Sequence, residues 1–471
     1  MNTWKIEYLS DSGAYYSAIR HLPNPIWLDS GRPQAAFGRY DIITAAPSSS
    51  FSTDGNLTMI THHADIFSNK SDQHLTSESD PFLLIDTAVQ KLGACKDVSL
   101  PFTGGALGYF GYNLRGIIEP NLLPIKCDIE IPDMLIGIYQ WAIIQDHHEE
   151  ESYLIAHTSL DDRVQKELLK LVVKRKKIKA KNTRKPIKIK KIKRKVKVKE
   201  YAEAINKIHD YIAAGDCYQV NFAQRFEAKY KGDSFQAYQH LRQLLPAPFG
   251  CYMEFEGGTI LSHSPERFLK VEGEQVETKP IKGTIERGKN EKEDIQKAGE
   301  LLNSVKDRAE NLMIVDLLRN DLSKNCQLGS VETPELFKLE SYANVHHLVS
   351  KVTGKLRPES SSLDLLKGCF PGGSITGAPK FRSMEIIDEL ESLERSIYCG
   401  SIGYISSNGK MDTNIAIRTI ACDEKKMYCW GGGGIVADSE TDKEYKESLQ
   451  KVNVLLEGLT FFSKNEEESS P

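Results

Sequence analysis

The chain has 471 residues, 40% of them hydrophobic and 27% charged, which suits two or three domains with sizeable cores and excludes wholesale disorder. Its net charge of −4 is uneven, because 16 Lys or Arg and no Asp or Glu stand between Lys174 and Lys199, leaving about −20 on the rest. No apolar run approaches the ~20 residues of a membrane span, Met1–Lys5 lacks the opening of a signal peptide, and the nine cysteines are scattered without a CxxC pair; together these point to reduced thiols in a cytoplasmic protein, away from membranes and without a zinc cage or disulfide scaffold.

Residues 1–160 read as short strands joined by turns. Ile42–Thr44, Leu57–Thr61 and Tyr139–Ile144 are β-type runs bounded by Gly, Asp and Ser. Phe82, Leu83, Ile85, Ala88, Val89 and Leu92 recur at helical spacing over 81–93. The run Gly104–Tyr112 is glycine-rich for a strand and predicts backbone lying close to a neighbouring strand or a ligand. A short helix near 162–173 enters the basic strip, and 161–199 reads as a linker or edge segment. Ile187, Ile189, Ile192, Val196 and Val198 are interleaved with lysines there, as in a lysine-guarded edge strand. A solvated connection and a docking strip for an acidic partner stay open. The strip has no interleaved aromatic residues, which argues against nucleic acid.

The patterns sharpen after residue 200. Tyr201, Ile205, Ile208, Tyr211 and Ile212 form one side of a helix over 201–213, with Gly215 as its stop. Helical patterning fills 292–324. Tyr445, Leu449, Val452, Leu456 and Leu459 define a final helix over 442–460, and the acidic tail 461–471 is expected to fray.

Five segments carry chemistry. Glu444 and Glu447 are neighbours on the final helix. Upstream, Gly431–Gly434 reads as a turn of unshielded N–H groups feeding the helix start, with Ser439 or Thr441 as cap and a Thr441–Glu444 capping box. That is an anion cradle, and carboxylates beside an anion call for a hard cation such as Mg²⁺; a wet helix face is the plainer alternative. Glu310 adjoins the apolar run Leu312–Leu318, so it either coordinates or pairs with Arg308, Arg319 or Lys324. Glu266 follows a β-type run, where partial burial would fit it as a general acid, unless it merely pairs with Arg267. Lys279 and Lys282 face opposite ways in an extended segment, and a desolvated lysine can be a nucleophile. Gly372–Lys380 lacks the spacing of a nucleotide-binding loop, and no glutaminase nucleophile elbow is present.

Taken in order, Gly215–Asn221, Ser264–Phe268, Pro280–Thr284, Asp307–Asp321, His347–Ser350, Gly372–Lys380, Tyr398–Arg418 and Gly432–Lys451 resemble the motifs of the chorismate-utilising enzymes. The resemblance covers about Tyr201 to Leu459, with a looser likeness over the first 150 residues to the amidotransferase-coupled members. It implies an α+β fold of two large β-sheets packed as a sandwich with helices outside, a catalytic region over 200–460 and an N-terminal region over 1–160. It implies Mg²⁺ held by Glu310 and Glu447 with Glu444 nearby, and chorismate bound by Gly283, Thr284, His347, Ser374, Tyr398, Arg418, Gly432, Gly433, Gly434 and Lys451. Glu266 would protonate the departing C4 hydroxyl. Gln219 stands where isochorismate- and salicylate-forming members carry a water-activating lysine. Lys282 stands where anthranilate-forming members carry alanine and aminodeoxychorismate-forming members carry a lysine that attacks C2. The resemblance is therefore nearer the aminodeoxychorismate branch, which feeds p-aminobenzoate and folate and takes ammonia from a glutamine amidotransferase subunit. Anthranilate formation is the alternative within the family, and a non-catalytic binding protein with a docking strip is the alternative outside it. Ser30, Phe37, Gly38, Arg39 and Tyr40, with Pro248, Phe249 and Gly250, resemble in part the tryptophan pocket of some relatives. Asp29 replaces the glutamate of that motif, and ordinary core packing is the competing reading.

Overall fold

The computed structural model of the chain describes residues 1–35, 38–65, 71–95, 99–122, 128–174, 184–342 and 345–463. Among these residues two antiparallel sheets, of 13 and 12 strands, make the body. The larger sheet runs from Asn2–Ile6 through Trp141–Asp146, Ile26–Asp29 and Phe249–Phe255 to Gly258–Ser264, Thr419–Asp423, Lys426–Ile435 and Gln219–Lys231. The smaller runs from Ile281–Glu286 and Val345–Lys355 through Arg267–Glu272, Ser401–Ser406, Gly105–Phe110 and Met134–Tyr139 to Gln73–Ser77. The N-terminal region and the region after residue 200 thus supply strands to both sheets. This is the α+β sandwich with outer helices that the sequence resemblance implies.

The sheets face one another across an apolar layer in which Ile42, Met253 and Ile260 of the larger meet Phe51, Ile136, Leu269 and Ile402 of the smaller. On the outer face of the larger sheet, Tyr238 and Leu241 of the helix Ser234–Leu244 and Val452 and Leu455 of the final helix Thr441–Thr460 cover Ile420 and Cys429. Helix Val198–Ala214 ends where Gly215 turns left-handed at φ 82°.

Local signals translate with identifiable departures. The run 139–144 is not one strand: Met134–Tyr139 belongs to the smaller sheet and Trp141–Asp146 to the larger, the chain changing sheets at Gln140. The helical patterning over 292–324 is two helices, Glu291–Asn303 and Val305–Ser323, with Ser304 capping the second through Asp307 N–H. In Gly105–Phe110 the glycines serve a neighbouring strand, since a Cβ on Gly108 would lie 2.0 Å from the Leu135 carbonyl. Within the basic strip, Lys188–Ile189 and Lys193–Arg194 pair with Gln219–Lys231 at the edge of the larger sheet; 175–183 and 464–471 lie outside the described residues.

Candidate active site

Two links that carry the chain between the sheets hold key side chains. Glu266 lies between Gly258–Ser264 of the larger sheet and Arg267–Glu272 of the smaller; Arg418 lies on the return, between Met411–Asn414 and Thr419–Asp423. The links are bound together, Ile415 N–H donating to the Glu266 carbonyl at 3.0 Å and Ser264 Oγ donating to the Ile415 carbonyl at 2.6 Å.

Glu266 is buried, and its Oε1 accepts from Ser374 Oγ at 2.8 Å. Burial pushes its carboxyl above the usual range, outweighing the Ser374 hydroxyl and the Lys282 ammonium. Lys282, on the strand Ile281–Glu286, donates from Nζ to the carbonyl of the same Ser374 at 3.0 Å. Desolvation pulls its ammonium below the ordinary lysine range although Glu310 pulls it up. Lys279 points the other way, to Glu340 at 3.7 Å. Arg267 is committed to Asp412 and Glu277, each at 2.9 Å, so it is not the partner of Glu266.

Gly283 has φ +82°, and a Cβ there would lie 3.0 Å from Leu301 Cδ1 and 3.1 Å from Asp307; glycine lets the strand rest against the two helices behind it. Thr284 Oγ1 and His347 Nδ1 are 2.8 Å apart, and burial, aided by Arg418, holds the His347 imidazole down to about 4. Tyr398 is buried and stacks on Trp430 at 5.7 Å with the rings 6° apart. The Arg418 side chain meets no carboxylate and makes no hydrogen bond among the described residues, and burial lowers its pKa. An enclosed guanidinium without a counter-ion is suited to an anionic ligand.

The glycine run is a strand, not a turn. Gly431–Gly434 belong to Lys426–Ile435 and pair with Asn221–Gln224. The other neighbour, Thr419–Asp423, stops pairing at Cys429, so beyond it alternate N–H groups of the run are left without a second strand. The capping box is also absent: the N-cap is Glu440 without a side-chain bond, and Ser439 Oγ instead donates to Glu444 Oε1 at 2.7 Å. A Cβ on Gly433 would lie 3.5 Å from Glu444 Oε2 and 3.6 Å from both Glu447 Oε1 and Lys451 Nζ. The bare glycine therefore faces three charged groups of the final helix. Glu310 joins them from the helix Val305–Ser323, its carboxyl raised by burial against the pull of Lys282 and Lys306. For Glu447 burial works upward too, but Lys451, at 2.7 Å, outweighs it and the carboxyl falls below the usual range.

The partners expected for Glu310 are engaged elsewhere: Arg319 with Asp316, Lys324 with Asp321, and Arg308 over the Phe337 ring. The ammonium beside Glu310 is Lys306, which the sequence reading missed; a scan for pairs four apart on the helix finds it. Among the described residues no three His, Cys, Asp or Glu side chains form a group ready to close on a metal ion. The oxygen donors facing Gly433 nevertheless have the chemistry of a hard-cation site. Gln219 is fully buried beside Gly434, and neither atom of its carboxamide has a partner among the described residues.

A cavity of about 480 Å³ lies between the sheets, and Gly38, Arg39, Tyr40, Pro248, Phe249 and Gly250 line it together with Asp29 and Arg267. Ser30 does not line it; its N–H and Oγ both donate to Asp41 Oδ1, at 2.7 and 2.6 Å. Phe37 lies outside the described residues. No helix among the described residues is long and apolar enough to cross a membrane.

Residues 24–457 match the family described as chorismate binding enzyme. The chain is 41% identical over 447 residues to aminodeoxychorismate synthase component 1 of Escherichia coli, covering 94% of this chain and 95% of the relative. It is 34% identical over 454 residues to anthranilate synthase component 1 of Aquifex aeolicus, covering 94% and 90%. The crystal structure of anthranilate synthase component I from Streptococcus pneumoniae superposes with a TM-score of 0.78 at 29% identity, covering 89% of this chain and 92% of that one.

Proposed function

The chain belongs to the chorismate-binding enzymes, and from that premise we propose that it converts chorismate and ammonia into 4-amino-4-deoxychorismate and water, the step that leads to p-aminobenzoate and folate. One observation carries the choice within the family. Ser374 holds Lys282 on its carbonyl and Glu266 on its hydroxyl, and burial favours the neutral form of each. A neutral amine and a neutral carboxylic acid on one residue are a nucleophile and a general acid placed for one substrate.

In this reading the Lys282 amine forms a bond to C2 of the ring while Glu266 gives its proton to the C4 hydroxyl, which leaves as water. Ammonia then bonds to C4 and the bond to Lys282 breaks. The new ammonium returns one proton to Glu266, so both side chains end as they began. Two displacements put nitrogen at C4 rather than C2, which supports this product over anthranilate. Gln219 supplies no base to activate water, which disfavours isochorismate. Arg418 and Lys451 suit the substrate carboxylates, with Tyr398, Gly283, Thr284, His347 and the N–H groups of Gly432–Gly434 around them. Glu310 and Glu447 would hold Mg²⁺, with Glu444 beside them. Held there, it would supply positive charge toward the ring carboxylate. The component naming of the relatives supports a separate glutamine amidotransferase as the source of ammonia. Incubation of the pure protein with chorismate, Mg²⁺ and ammonium should yield aminodeoxychorismate by chromatography and mass spectrometry; anthranilate or isochorismate as the main product overturns the assignment.

A further inference from the structure

Lys306 sits one turn before Glu310 on the helix Val305–Ser323, and nothing in the sequence resemblance gives it a task. Its Nζ is 3.9 Å from Glu310 Oε1 and 3.4 Å from Glu444 Oε1, so one ammonium spans carboxylates of two different helices. Glu447 has its own ammonium, Lys451, on its own helix. Each of the three carboxylates therefore already faces a cation. The Lys306 side chain is 44% exposed, whereas Glu444 is 3% exposed; the lysine can swing into water while the carboxylate stays.

We infer that Lys306 is the resident counter-cation of the metal-free site, and that a divalent ion enters by displacing it. The inference rests on the Mg²⁺ reading above. Without a cation between them, Glu310 and Glu444 would repel across the helix contact. Lys306 offsets that repulsion, and an incoming ion must compete with the ammonium. Lys451 cannot do the same, since it pairs within one helix and leaves the two helices unlinked.

The test is Mn²⁺ binding, followed by electron paramagnetic resonance and calorimetry on the full chain without substrate. Lys306→Met should bind Mn²⁺ about threefold to tenfold more tightly than wild type, equivalent to about 0.7 to 1.4 kcal/mol, while Lys306→Arg stays near wild type. A second measurement needs no variant: mass spectrometry of wild type treated with an acetylating reagent should show Lys306 modified several times faster at saturating Mn²⁺. Unchanged or weaker binding by Lys306→Met, or a Lys306 acetylation rate that Mn²⁺ leaves unchanged or slows, overturns the inference and leaves the metal site standing. Absence of Mn²⁺ binding by wild type at millimolar concentration overturns both.

Discussion

Two glycines two positions apart on the strand Lys426–Ile435 should fail in opposite ways when replaced by alanine. A Cβ on Gly431 would lie 2.3 Å from the Ser448 carbonyl and 3.1–3.2 Å from Val452, both on the final helix. An ordinary contact starts at about 3.4 Å, so the helix must retreat by about 1.1 Å. It cannot do so freely, because Ser448 Oγ also accepts from Gln224 Nε2 at 2.7 Å. Overpacking of this kind costs ~1–3 kcal/mol, which for a chain of 471 residues lowers Tm by about 1–3 °C. The same retreat moves Glu444, Glu447 and Lys451, and a displacement near 1 Å can cost ~10²-fold in rate. On Gly433 the Cβ meets its neighbours at 3.5–3.6 Å, an ordinary distance. Gly433→Ala should therefore keep its Tm within about 1 °C while filling space in front of the charged groups, and its defect should appear as a raised KM for chorismate. Thermal unfolding and ammonium-dependent kinetics on both variants decide the matter. A Gly431→Ala enzyme as stable and active as wild type, or a Gly433→Ala enzyme the less stable of the two, refutes the reasoning.

Lys282→Ala should lose most amination at C4, and wild type given chorismate without ammonia should carry a covalent adduct on Lys282 by peptide mass spectrometry; a wild-type rate in the variant removes the nucleophile role. The pH profile should be bell-shaped, rising as Lys282 loses its proton and falling as Glu266 loses its own, with the rising limb absent in the alanine variant. Glu266→Gln should be inactive yet more stable than wild type at pH 8. The folded-state pKa of Glu266 is raised, so its contribution to stability is full below the ordinary carboxyl range and is lost as pH rises through the raised value; equal Tm differences at pH 5 and pH 8 would contradict this. Glu310→Gln and Glu447→Gln should each abolish activity with the fold intact by circular dichroism, and normal rates at low Mg²⁺ would take them out of the metal site.

What the sequence makes legible is local. The periodicity of Tyr201–Ile212 and the stop at Gly215 place a helix to within a few residues, since burial of one face and a left-handed glycine are properties of neighbours in the chain. The α+β sandwich came through the ordered motifs, not through periodicity. Gly431–Gly434 reads as a turn because glycine clusters usually break strands, whereas here Gly431 makes room for the final helix and Gly432 and Gly434 for the strand beside them. The run 139–144 reads as one strand because nothing in an apolar stretch marks the residue at which a chain changes sheets. Glu266 and Arg418 occupy such changes, so their enclosure is set by strands distant in sequence. Lys306 combines both cases: its link to Glu444 spans 138 residues, whereas its spacing of four from Glu310 is local and legible.

In the proposed mechanism Ser374 gives a reason why the arrangement needs more than Lys282 and Glu266. Burial disfavours both charged forms, which is what a nucleophilic amine and an acid donor require. A direct ion pair between Lys282 and Glu266 would undo this, because each charge would stabilise the other and restore the protonated amine and the ionised carboxylate. No such pair forms: the Ser374 carbonyl accepts from Lys282 and its hydroxyl donates to Glu266. One residue satisfies both groups, the buried Glu266 and the half-buried Lys282, and keeps them apart. The hydroxyl donor favours the ionised carboxylate and the carbonyl acceptor favours the ammonium, so each bond only moderates the effect of burial. Glu310 then presses the Lys282 pKa upward, and a cation that neutralises Glu310 relieves that pressure. In the proposed mechanism a cation at the acidic cluster would thereby favour the neutral Lys282 amine through charge alone, with no movement of Lys282 required.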